Sequence, residues 1–157
     1  MDRDVILTMR GIEIQFPGVK ALDGVETAED ALEDLEDAVR QAKSARRQAS
    51  EALDAYQDQL EELNGQIASL EQRETELQQR IEGEADETVK AQLLSELQEV
   101  QGDITTNNGE KILLQLQGGQ VESAYSAAQS AYLQAQAALE QGERAVELAE
   151  SQVETCA

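Results

Sequence analysis

From Leu32 to Ile81 the apolar residues recur at alternating gaps of three and four: Leu32, Leu35, Val39, Ala42, Ala49, Leu53, Tyr56, Leu60, Leu63, Ile67, Leu70, Leu77 and Ile81. Arg46 and Glu74 are the two interruptions that fall on the same spacing. Gaps of three and four put one residue per turn on a single stripe of an α-helix. Held over about seven heptads, the stripe predicts a coiled-coil seam. The residues before it are acidic, with Glu26, Glu29, Asp30, Glu33, Asp34, Glu36 and Asp37. Those acids suit the positive end of a helix dipole, and Thr27 followed by Asp30 resembles a capping box. The helix is therefore predicted to start near Thr27 and to reach Glu82.

Gly83 with Glu84 to Thr88 supplies a turn, and a second helix is predicted from Asp86 to Ile104. Its stripe is Val89 or Lys90, Leu93, Leu97, Val100 and Ile104, widened by Leu94. A connection this short favours antiparallel neighbours. Thr105-Thr106-Asn107-Asn108-Gly109 has turn chemistry. After it Ile112, Leu114 and Leu116 alternate with mostly polar residues, and Gly118-Gly119 follows. The expectation is an interruption near 105–119 holding a short strand over 111–117, with a buried loop between helices as the alternative. The last helix, Val121 to Val153, carries Val121, Tyr125, Ala128, Tyr132, Ala135, Leu139, Gly142, Val146, Ala149 and Val153 at the three-four spacing. With 105–119 looped out, Tyr132 falls near Ala49, Leu139 near Ala42 and Gly142 near Val39, so that large residues face small ones.

At the other end the period changes. Val5, Leu7 and Met9 alternate, Gly11 intervenes, and Ile12, Ile14 and Phe16 alternate. Period-two patterning around a turn residue predicts a β-hairpin, ended by Pro17-Gly18. The string ILTMRGIEIQFPGVKALDGV, Ile6 to Val25, resembles the opening of the ATP-binding cassette subunits of bacterial sugar importers. The resemblance implies two N-terminal strands and an aromatic at Phe16 that stacks on adenine. It covers about an eighth of the chain. That family's next element, the phosphate-cradling G-x-x-x-x-G-K-[ST] loop, does not occur here. The nearest string, Gly109-Glu110-Lys111-Ile112, lacks the first glycine and the hydroxyl. A borrowed, fused or convergent hairpin is expected, with no nucleotide and no cofactor bound.

The predicted fold is thus mainly α: a long antiparallel coiled-coil helical hairpin over 26–157, interrupted near 105–119, behind an N-terminal β-hairpin arm over 1–25. Composition agrees with it. Three Tyr, one Phe and no Trp are too few aromatics for a thick core, so a rod with a thin seam is expected. A net charge of -21, from 33 acidic and 12 basic residues, disfavours nucleic acid and anionic membranes as partners. It leaves a solvated surface, a high-salt habitat or a basic protein partner open. The one basic cluster, Arg40, Lys43, Arg46 and Arg47, either pairs with acids on its own or a neighbouring helix or reads an acidic partner.

Candidate chemistry is sparse. With no histidine and a single cysteine, Cys156, neither a zinc set nor a Ser-His or Cys-His pair can be built. Cys156 has no internal disulfide partner, and a link between chains stays open. No secretory signal and no membrane-spanning run is read, so the cytoplasm or the inside of an assembled particle is expected, with signal-less export open. No enzyme, metal or small-molecule substrate is expected. The leading expectation is a structural or assembly protein, a homo-oligomer in a particle, filament or secretion apparatus. Its contacts would come from the seam and from strand pairing between staggered subunits through Val5, Leu7, Ile12 and Ile14 with Ile112, Leu114 and Leu116. An acidic helical adaptor or chaperone for a basic protein is the alternative. A nucleotide-linked regulator rests on the importer likeness alone.

Overall fold

The computed structural model describes residues 17–156, with side chains described over 24–155. Helix makes up 98% of it, in two elements that pack against each other as a helical hairpin. Helix α1 is Pro17–Gly83 and helix α2 is Glu87–Cys156. The predicted strand residues Val5, Leu7, Ile12 and Ile14, and Phe16, lie outside the described residues.

Helix α1 opens at Pro17, well before the expected Thr27. Proline costs a helix nothing at its first position: the missing N–H has no partner there anyway, and the fixed φ is already helical. The Pro17-Gly18 pair therefore starts a helix rather than a turn, and residues 17–25 of the predicted β-arm are helical. At the far end the Glu84 N–H donates to the Ile81 carbonyl at 3.3 Å, closing α1 with a tight turn. Asp86 then caps α2. Its carboxylate accepts from the Thr88 N–H at 2.8 Å and the Val89 N–H at 3.3 Å, two donors that have no partner inside the helix. The Asp86 N–H is itself held by the Glu84 carboxylate at 2.9 Å.

Two compact units divide the chain: Gln48–Ser126, and the outer segments up to Arg47 and from Ala127. The core lies in the first. Leu77 is fully buried against Leu93 and Val100, and Leu70, Ile81, Val89, Leu97 and Ile104 pack around them. Leu63 and Ile67 are buried as well. In the outer unit no described residue is fully buried; the stripe of Leu32, Leu35, Val39, Leu139, Val146 and Val153 is half-covered throughout.

Helix α2 runs unbroken through 105–119, so neither the interruption nor the strand over 111–117 exists. The covered positions are Val100, Ile104, Asn107, Lys111, Leu114, Gly118 and Val121, which continue the three-four spacing without a fault. Asn107, Lys111 and Gly118 hold seam positions while looking nothing like core residues. The alternation of Ile112, Leu114 and Leu116 came from side chains that a helix sends to different faces. Thr105 and Thr106 could have favoured a turn, but their hydroxyls donate to the carbonyls of Gln101 and Gly102 at 2.9 and 3.0 Å. Bonded back onto the preceding turn, they no longer compete with the helix.

Candidate functional site

Of the predicted seam residues within Gln48–Ser126, Leu63, Ile67, Leu77 and Leu93 are buried; Leu53, Tyr56, Leu60, Leu70, Ile81, Leu97, Val121 and Tyr125 are half-buried. In the outer unit Leu32, Leu35, Val39, Tyr132, Leu139, Val146 and Val153 are half-buried. The two residues that interrupt the stripe have partners across it. The Arg46 guanidinium lies 4.2 Å from the centre of the Tyr132 ring, a cation–π stack that lets a charge occupy a seam position. The Glu74 carboxylate accepts from the Gln101 amide at 2.8 Å. The preceding residue, Arg73, pairs with Glu96 at 3.0 Å.

Size matching across the seam is steep. The Tyr56 ring fills the space that a Cβ at Gly118 would take. A Cβ at Gly142 would sit 2.6 Å from Leu35 Cδ1 and 3.4 Å from Leu32 Cδ1. Gly142 thus lies one turn from Val39, its expected partner. The expected register left 105–119 out of the seam; keeping those residues in α2 carries Gly142 farther from the turn and toward the start of α1. Gly118, Lys111 and Asn107 were not expected on the seam. Their one signal was the spacing itself, counted through the polar residues rather than around them.

Few other features suggest chemistry. Arg40 of the basic cluster pairs with Asp37 on its own helix, both exposed, an arrangement worth little. Among the described residues no group of His, Cys, Asp and Glu could hold a metal ion. The depressions are shallow grooves along the helix pair, one of them lined by Gln59, Glu62, Leu63, Gln66, Glu110, Leu113, Leu114 and Gln117. No described helix is long and apolar enough to cross a membrane.

What the seam leaves uncovered stands out more. Ile112, Leu113 and Leu116 were expected in a strand or beside it. Ile112 and Leu116 are instead 59% and 68% exposed on the outside of α2, and Leu113, 62% exposed, stands at the edge of the groove beside α1; Leu114 is half-buried on the seam. Leu133 and Leu148, in the outer unit, are also largely exposed.

No protein-family model matches the chain, and no curated protein or solved structure is similar to it.

Proposed function

We propose that this chain is a structural or assembly protein: a helical hairpin whose outer surface makes contacts between subunits of a larger particle, filament or secretion apparatus. The observation that carries the reading is the exposure of Ile112, Leu113 and Leu116 side by side on a helix whose inner stripe is already occupied. Each such side chain gains roughly 1.5–3 kcal/mol when it leaves water. Clustered exposed apolar side chains on a protein of high net charge mark a place where something docks. The hairpin's own packing consumes the three-four stripe, so the external trio is available for a neighbour. The importer likeness adds nothing to this reading, because no phosphate cradle accompanies it.

Sedimentation velocity over a wide concentration range, with electron microscopy of the same sample, tests the proposal. Concentration-dependent association into regular oligomers, rods or closed particles is the expected result. A monomer that stays a monomer at every concentration overturns it.

The net charge of -21 favours one second reading, an adaptor that holds a basic protein. It differs in outcome: such a protein stays monomeric alone and shifts only when a cationic partner is added.

A further inference from the structure

Over 38–50 of α1 the charged side chains are Arg40, Lys43, Arg46 and Arg47, with no carboxylate among them. The α2 residue beneath Arg46 there is Tyr132, and over 127–139 that helix carries no charge. This part of the outer unit is a positive band in a chain of net charge -21. Arg40, Lys43 and Arg47 are exposed, and each follows a seam position by one residue. Leu133, 54% exposed, follows Tyr132 in the same way. In an antiparallel pair, positions one residue past the seam on both helices face the same side, so the three cations and the leucine share one flank. Arg40 already pairs with Asp37, but an exposed pair of this kind contributes little and is readily exchanged.

The other unit holds the complement. Along one flank of the seam in Gln48–Ser126 run two adjoining grooves, which share Glu62 and Gln66. Leu63, Leu70 and Leu114 line them at the seam, and Leu113 stands 62% exposed at the edge. Their carboxylates are Glu62, Asp103 and Glu110, and no lysine or arginine lines either groove. Neither Asp103 nor Glu110 has an ion pair among the described residues. Glu62 accepts from the Gln66 amide at 3.4 Å, which leaves its charge uncompensated. Asp103 and Glu110 are seven residues apart, and so are Arg40 and Arg47. Seven residues are two turns, which puts each pair on one line of its helix, about 10.5 Å apart. Two helices laid side by side can therefore bring both cations against both carboxylates at once.

We propose that copies of this chain associate through two different surfaces: the flank carrying Arg40, Lys43, Arg47 and Leu133 of one copy seats on the groove lined by Glu62, Asp103 and Glu110 of the next. The proposal rests on the assembly reading above and names a contact for it. Charge complementarity and equal spacing select a second copy as the occupant, because the chain's one basic cluster repeats the interval of the groove's carboxylates. Leu133 adds apolar burial against the leucines of the groove, which an exposed ion pair alone lacks. Because the two surfaces differ, each added copy keeps one flank and one groove unused. Such a contact builds a ring or a filament and does not stop at a dimer. Exposed ion pairs are individually weak, so dissociation in the micromolar range or weaker is the matching expectation.

The test is sedimentation velocity of the full chain to several hundred micromolar, with two charge reversals at exposed positions: Lys43→Glu with Arg47→Glu, and Asp103→Lys with Glu110→Lys. Helical circular dichroism and Tm at dilution check that both double variants fold. The wild type should form oligomers larger than a dimer, and each double variant alone should associate roughly tenfold more weakly, because like charges then meet across the contact. An equimolar mixture of the two should recover wild-type association, since every groove again finds a flank of opposite sign. Weaker association in Asp103→Lys with Glu110→Lys separates this contact from bulk repulsion, which predicts stronger association in a less acidic chain. Carbodiimide treatment of mixed isotopically light and heavy wild-type chains should join Lys43 of one to Glu62, Asp103 or Glu110 of another. If the wild type stays monomeric throughout, the assembly reading falls and this contact with it. If the wild type associates and both double variants do so equally, or their mixture fails to recover what each lost, this contact is wrong and the assembly reading stands. Loss of oligolysine binding in Asp103→Lys with Glu110→Lys, with self-association unchanged, assigns the groove to a basic partner and overturns the proposal.

Discussion

Gly118 and Gly119 are neighbours in one helix, yet alanine should act on them in opposite directions. In a helix interior, Gly→Ala is worth about 0.8–1.0 kcal/mol through backbone entropy, wherever the position is. At Gly119 nothing lies within 4 Å of the new Cβ, so Gly119→Ala should keep the full gain. At Gly118 the methyl would land inside the Tyr56 ring, against Cζ, Cε2 and Oη. Ordinary carbon contact lies at about 3.5–4.0 Å, so the ring must withdraw by about 1.5 Å. It can swing outward, at the loss of its own packing over the helix. Overpacking of this kind costs about 1–3 kcal/mol.

Gly118→Ala should therefore lie between neutral and about 2 kcal/mol destabilising, and the two alanines should differ by about 1–3 kcal/mol. At about 2–4 °C per kcal/mol for a chain of this size, that is a gap of about 2–12 °C in Tm. Thermal unfolding followed at 222 nm reads it, at one fixed and dilute concentration so that self-association does not shift the midpoints. Tyr56→Leu removes the far end of the ring, and in that background Gly118→Ala should turn stabilising. Equal stabilisation by Gly118→Ala and Gly119→Ala in the wild-type background would refute the ring-on-glycine contact.

Three further outcomes follow from the packing. Leu77→Ala empties the one fully buried side chain among the described residues and should cost about 2–5 kcal/mol in urea unfolding, whereas Leu116→Ala, 68% exposed, should stay within about 0.5 kcal/mol; similar losses at both sites would misplace the core. Asp86→Ala removes the acceptor for the Thr88 and Val89 N–H groups and should cost about 1 kcal/mol, recovered in large part by Asp86→Asn. Arg46→Ala and Tyr132→Leu should couple by about 0.5–1 kcal/mol in a double-mutant cycle, and strictly additive effects would show that the cation–π stack contributes nothing.

The stripe from Leu32 to Ile81 was legible because its hydrophobicity and its geometry coincide: nearly every third or fourth residue is apolar, and every apolar residue of the stripe is buried or half-buried. Through 105–119 the two properties separate. There the seam is held by Asn107, Lys111 and Gly118, while the apolar side chains point outward. A reading that follows apolar residues loses the helix where a reading that follows spacing keeps it. Pro17 is a failure of another kind, because proline next to glycine is turn chemistry in mid-chain and an ordinary start at the first turn of a helix. The candidate site was half visible. Ile112 and Leu116 stood out as available for contacts, but assigned to a strand edge instead of a helix face.

The irregular seam residues also explain how one register is chosen over its neighbours. A stripe of Leu and Ala repeats every seven residues and tolerates a slip of one heptad, since each apolar side chain then meets another. The contacts at Tyr56 and Gly142 do not tolerate it, and the one at Arg46 resists it in one direction. Sliding α2 by seven residues in Gln48–Ser126 replaces Gly118 beneath the Tyr56 ring with Lys111 or Tyr125, neither of which leaves room for the ring. The same slip in the outer unit moves Tyr132 from beneath Arg46; in one direction it leaves the guanidinium opposite Leu139, in the other it brings in the Tyr125 ring. Gly142 would be exchanged beneath Leu35 for Ala135 or Ala149, where even one methyl enters the space of the Leu35 side chain. Each unit thus carries at least one pair that is satisfied in a single alignment, much as a polar residue at a coiled-coil core position fixes register at some expense in stability. The Ala-rich outer seam needs this most. None of its described residues is fully buried; its glycine opposes both slips and its stacked arginine one of them.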